Sequence, residues 1–125
     1  MTPQQPQQPQ QDITEAPEFQ QLMAKYPEML SEFINQQQID LLTFCKKQLD
    51  YGPSNIAVGT ALANSDDIRL SLTGIFFRMN DKIQRIKNLV VFGKTSHNES
   101  VEDSFLDLSV YGVIARVVKN NKWGK

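Results

Sequence analysis

Apolar positions along this chain recur at steps of three and four, the spacing of one face of an α-helix. The clearest run is Ile68, Leu72, Ile75, Met79, Ile83, Ile86 and Val90, the pattern of a bundle seam. "NSDD" precedes it, with Asn64 or Ser65 as cap and two acids in the first turn, and Gly93 follows as a C-cap. Upstream, "PEMLSEFINQQQIDLLTFCKKQL" begins at Pro27, a residue suited to the first helical position. Met29, Leu30, Phe33, Ile34, Leu41, Leu42, Phe44, Cys45 and Leu49 give that segment an apolar face. It stops at "DYGPSN", where Gly52 and Pro53 break regular structure, and a looser stretch, "IAVGTALA", follows. "NESVED" opens the last helix, with Ser100 and Asp103 at capping-box spacing, and that helix runs to about Lys119. Helical signals begin near Pro17, and no internal repeat or convincing strand is present. The pattern predicts an all-α fold: an antiparallel bundle of three long helices with a shorter one before them.

The flanks are polar. "MTPQQPQQPQQ" offers prolines that prevent a regular helix and glutamines with nothing apolar to bury. Residues 1–16 therefore read as a disordered tail, residues 17–119 as the bundle, and residues 120–125, "NNKWGK", as a flexible basic tail. With 125 residues, 40% of them hydrophobic and 22% charged, the chain suits one small domain. A net charge of -1 gives no overall attraction to nucleic acid or to an anionic membrane. Cys45 is the single cysteine, so no intrachain disulfide forms and a reducing compartment is expected. There is no basic-then-apolar leader, and no apolar run approaches the roughly 20 residues that span a bilayer. A cytoplasmic, non-membrane protein is the expectation. Val110, Val113, Ile114, Val117 and Val118 cover more than one side of the last helix, which predicts a homo-oligomer.

Two charged stripes change the picture. Arg78, Asp81, Lys82 and Arg85 fall at i, i+3, i+4 and i+7 on the middle long helix. On the last helix Glu99, Asp103, Asp107 and Tyr111 are each four apart, with Glu102 adjacent. Acids at a helix N-terminus are favourable against the macrodipole, which accounts for Glu99, Glu102 and Asp103. Asp107 lies past the first turn between Leu106 and Leu108, where a carboxylate needs a partner. Two partners are open: a divalent cation, or a salt bridge to Arg78, Lys82 or Arg85. Asp81 could simply pair with Lys82 or Arg85 on its own helix.

"LDYGPSN" is the other unusual segment. A turn needs its Gly and Pro but not Tyr51 and Asn55, an aromatic and an amide of the kind that line pockets for planar ligands. Equally, Tyr51 could cover the bundle end and Asn55 cap a short helix. His97, the only histidine, stands in a loop, and Cys45 on an apolar face reads as a core residue. No Gly-rich phosphate loop is present.

"DYGPSN", "RMNDKIQRIKNLV" and "NESVEDSFLDLSVYGVI" together resemble the phage and bacterial family called nucleotide modification associated domain, type 1. The resemblance covers roughly residues 47–114 and extends to the layout of the all-α nucleoside triphosphate pyrophosphatases of the MazG and dimeric dUTPase group. Those enzymes bind Mg²⁺ through carboxylates on adjacent helices. The resemblance thus implies a metal set drawn from Asp81, Glu99, Glu102, Asp103 and Asp107, with Asp81, Asp103 and Asp107 catalytic. Arg78, Lys82 and Arg85 would meet phosphates, with Asn55 beside them, and Tyr51 or Tyr111 would stack on the base. The implied reaction is Mg²⁺-dependent cleavage of a (d)NTP to the monophosphate and pyrophosphate. This sequence departs from the enzymes' pattern: Ser104 stands three before Asp107, and Arg78 and Asp81 stand where the enzymes carry two glutamates. A non-catalytic nucleotide-binding module and a helical oligomeric interaction protein are the alternatives.

Overall fold

Residues 12–56, 62 and 64–125 are described in a computed structural model of the chain. Among them all regular structure is helical: α1 (Pro17–Lys25), α2 (Pro27–Tyr51), α3 (Ser65–Ile86) and α4 (Val101–Lys119). Short 3-10 turns lie at Ile13–Glu15 and Pro53–Asn55, and a π-helical turn at Lys87–Val91. The Gln/Pro tract over 1–11 and most of the "IAVGTALA" stretch lie outside the described residues. No described helix is long and apolar enough to cross a membrane. The chain divides into two compact units, Met1–Gln38 and Ile39–Lys125.

In the first unit, Asp12 to Ala16 form a turn where the sequence pattern suggests a disordered tail. The Asp12 carboxylate accepts both the Thr14 amide (3.0 Å) and the Thr14 hydroxyl (2.8 Å), which satisfies the turn locally. Those two hydrogen bonds hold the Asp12 carboxyl below its ordinary range. Pro17 and Pro27 each stand at the start of a helix, where the missing N–H costs nothing. Leu30 is buried, whereas Met29 and Phe33 on the same helix are exposed.

The second unit is built on α3 and α4. Asn64 caps α3, its side-chain oxygen accepting the amides of Asp66 and Asp67 at 3.0 Å each. Ile56, Leu62, Ile75, Ile114, Val118 and Trp123 form the core, with Phe44, Ile68, Leu72 and Met79 packed around it. Lys82 lies opposite Asp107 and Arg85 opposite Ser104, so α3 and α4 run in opposite directions. The seam leaves the core toward the end of α3: Ile83 and Val90 are exposed. The π-helical turn, closed by Phe92 N–H to the Lys87 carbonyl, shifts the phase of the face there, and Gly93 at φ 65° ends it. The α2 face is likewise only partly covered, since Phe44 packs on the core but Leu41, Leu42 and Leu49 are exposed.

Two local expectations are corrected. Ser100 stands at the start of α4 without a side-chain cap; its carbonyl accepts the Asp103 amide (3.2 Å) and an Arg85 N–H (3.0 Å) instead. The basic segment after α4 is a folded-back turn rather than a solvated tail. Asn121 adopts the left-handed conformation (φ 56°), its amide bonds the Val118 carbonyl, and Lys122 bonds Val117. This pairing of the two amides past a helix end satisfies its last carbonyls and reverses the chain. Trp123 is thereby delivered to the core, 6% exposed, its ring 6.1 Å from that of Phe44. Its indole N–H donates to the Pro53 carbonyl at 2.9 Å.

Trp123→Ala is expected to cost about 3–5 kcal/mol, the range for emptying an aromatic site in a core, read from urea unfolding. As a control, Asn121→Gly should be near neutral, whereas Asn121→Val should cost about 1–2 kcal/mol by forcing a β-branched residue into the left-handed region.

A candidate ligand-binding pocket between α2, α3 and α4

Within the second unit a pocket of about 250 Å³ opens between the end of α2, α3 and α4. The last two turns of α2 supply Phe44, Lys47, Gln48 and Tyr51, residues at helical spacing on one face. Asn55 enters from the following turn, Lys82 from α3 and Glu99 from the loop before α4. From α4 come Leu106, Asp107, Val110, Tyr111 and Ile114, again at steps of one helical face.

The turn that carries Asn55 is braced from two sides. Gln48 Nε2 donates to the Gly52 carbonyl and to Asn55 Oδ1 (3.0 Å), while Arg78 Nη2 donates to the Asn55 carbonyl. Gly52 sits at φ 69°, a conformation that L side chains rarely adopt, which explains the glycine of "DYG".

Asp107 has its partners. Its side chain is 17% exposed, with Lys82 Nζ 2.9 Å from Oδ2 and Lys47 Nζ 3.3 Å from Oδ1. Of the three cations proposed for it from sequence, Lys82 is the one it meets; Lys47 belongs to a different helix and was not anticipated. The hydrogen bond to Asp107 raises the Lys82 pKa above its ordinary value near 10.5, against an opposing effect of burial. The charges of Asp107, Glu99 and Tyr111 add in the same upward direction.

Arg85 serves the loop instead of the pocket. Its guanidinium donates to the Ser100 carbonyl (3.0 Å), the buried Ser104 hydroxyl (2.6 Å), the Ser96 hydroxyl (3.4 Å) and the Glu99 carbonyl. A planar fork with five donors suits such a cluster of acceptors. The Ser109 hydroxyl donates to Asp40 at 2.8 Å, a further link between α4 and α2.

The candidate residues therefore separate. Tyr51, Asn55, Lys82, Glu99, Asp107 and Tyr111 line one pocket, joined by Lys47 and Gln48. Asp81, Glu102 and Asp103 are exposed and do not line it, and Arg78 and Arg85 bind backbone carbonyls. The implied five-carboxylate Mg²⁺ set is not brought together: among the described residues no three His, Cys, Asp or Glu side chains are placed to hold a metal ion. Both oxygens of Asp107 already face ammonium groups, and Glu99 is the one other carboxylate lining the pocket. These residues do not fit a multi-carboxylate metal centre. Lys47 could have been suspected from its place one helical turn before Tyr51; Gln48 carried no such sign. No family model, curated protein or solved structure matches the chain.

Asp107→Asn should cost about 1–2 kcal/mol, between the values for exposed and buried ion pairs, because it leaves two ammonium groups facing each other. A raised Lys82 pKa means that the pair stabilises the fold fully below about pH 10.5 and loses that contribution as pH rises through the folded value. The stability gap between the native chain and Asp107→Asn should thus stay level from about pH 7 to 9 and narrow at more alkaline pH in urea titrations.

Proposed function

We propose that this pocket binds a nucleotide, without catalysing its hydrolysis. The observation that carries the reading is the convergence of two lysines, two tyrosines and two side-chain amides on one small pocket. Lysine ammonium groups suit phosphate oxygens, tyrosine rings suit the face of a base, and amides suit its polar edge. Support also comes from the segments behind the resemblance to the nucleotide modification associated family. Tyr51 and Asn55 belong to "DYGPSN", Lys82 to "RMNDKIQRIKNLV", and Glu99, Asp107 and Tyr111 to "NESVEDSFLDLSVYGVI"; all six line the same pocket.

The pyrophosphohydrolase reading needs carboxylates gathered around Mg²⁺, a general requirement for activating water and neutralising a polyphosphate. The scattered positions of Asp81, Glu102 and Asp103 favour binding over that reaction. The proposal keeps the MazG-like antiparallel arrangement of three long helices as its structural frame. It also includes self-association in the cytoplasm, supported by the exposed Phe76, Phe77, Phe105 and Val113, which water would otherwise face.

The test is a thermal shift series with ribo- and deoxyribonucleotides, in Mg²⁺ and in EDTA, with products resolved by chromatography. Stabilisation in EDTA without product is expected, reaching about 2.7 kcal/mol at a hundredfold excess over Kd. Monophosphate and pyrophosphate formed only with Mg²⁺ would replace the binding reading with the hydrolase. In light scattering at micromolar concentration, a mass above 14.3 kDa is expected, and a monomer would refute the association.

A further inference from the structure

The two lysines on Asp107 are not equivalent. Lys82 lies 2.9 Å from its oxygen and is 23% exposed; Lys47 lies 3.3 Å away and is 54% exposed. From this asymmetry and the charge balance of the pocket, we infer that the ligand is a nucleoside monophosphate, gripped by Lys47 after it leaves Asp107, while Lys82 stays. The inference rests on the nucleotide reading above and narrows it to one class.

Charge favours the nucleotide with the fewest phosphates. The pocket is lined by two ammonium groups and two carboxylates, Lys47 and Lys82 against Asp107 and Glu99, so their charges cancel. When Lys47 swings away, Lys82 and Asp107 remain a close neutral pair, and one cation becomes available to the ligand. A single phosphate ester carries about -1.5 to -2 at pH 7, and one free ammonium offsets roughly half of that. A triphosphate would bring further negative charge against Asp107 and Glu99, and no carboxylate set among the described residues is placed to recruit a metal ion for it.

Size points the same way. At about 250 Å³ the pocket lies just below the roughly 300–1,000 Å³ usual for small-molecule sites, which suits one base, one sugar and one phosphate. Detaching Lys47 is also the cheaper rearrangement. Its pairing is the longer and more solvated of the two, the kind of ion pair that contributes least to stability.

The experiment is calorimetric titration in EDTA of the full chain with the four ribonucleoside 5′-monophosphates, the matching triphosphates, the nucleosides and inorganic phosphate. Lys47→Met, Lys47→Arg and Lys82→Met are titrated alongside, with circular dichroism and melting curves to confirm that each folds. At least one monophosphate should bind more tightly than its triphosphate and its nucleoside. Lys47→Met should weaken that binding about tenfold or more while leaving the unliganded melting temperature nearly unchanged, and Lys47→Arg should restore most of it. Lys82→Met should instead lower the unliganded melting temperature. Equal or tighter triphosphate binding, or monophosphate affinity indifferent to Lys47→Met, overturns the inference while the nucleotide reading stands. Binding of no nucleotide by folded protein overturns both.

Discussion

One carboxylate ties together three helices of the second unit. Asp107 comes from α4, Lys82 from α3 and Lys47 from α2, and their charges meet in a half-buried position where three helices approach. An acid at that depth is costly alone, and two ammonium groups there without it would repel. The Lys82 pairing ties α3 to α4 at this level, while Lys47, longer in its contact and more exposed, adds a looser tether from α2. The same groups form part of the pocket wall.

The cations of the unit divide by chemistry. Arg78 and Arg85 reach backbone carbonyls and hydroxyls in fixed directions, one bracing the turn at Asn55 and the other gathering the loop before α4. Lys47 and Lys82 present compact charges to a carboxylate and to the open volume beside it. A guanidinium distributes several donors in a plane and is suited to architecture; an ammonium on a flexible stem can change partners. The stripe of "RMNDKIQR" on α3 thus has two jobs that its periodicity does not distinguish.

Helices were legible in the sequence because periodicity, prolines and caps act locally. Pro27 starts α2, Asn64 caps α3, and α4 ends at Lys119, each for reasons contained within a few residues. Contacts between helices were less so. The spacing of Glu99, Asp103, Asp107 and Tyr111 correctly suggests a shared stripe, yet Asp103 is exposed while Asp107 is held by two lysines. Which turn of a stripe meets a neighbour depends on crossing geometry, and a single helix carries no record of it. Lys47 escaped notice for the same reason. Trp123 escaped for another: "NNKWGK" is polar in composition, but Asn121 tolerates the left-handed turn that brings one indole back to the core. A single aromatic after a helix-stopping Asn was the signal available.

That returning indole has a consequence for how the chain is made. Its N–H holds the Pro53 carbonyl, and Pro53 begins the turn that places Asn55 in the pocket. The support for a segment at the end of α2 is therefore supplied by a residue 70 positions later. During synthesis from the N-terminus, helices α2 and α3 can form as they emerge, with Gln48 and Arg78 already bracing the turn at Asn55, but this last bond waits. A chain cut short just before residue 123 would carry all four helices and every residue lining the pocket, and lack only the brace behind the turn that holds Asn55.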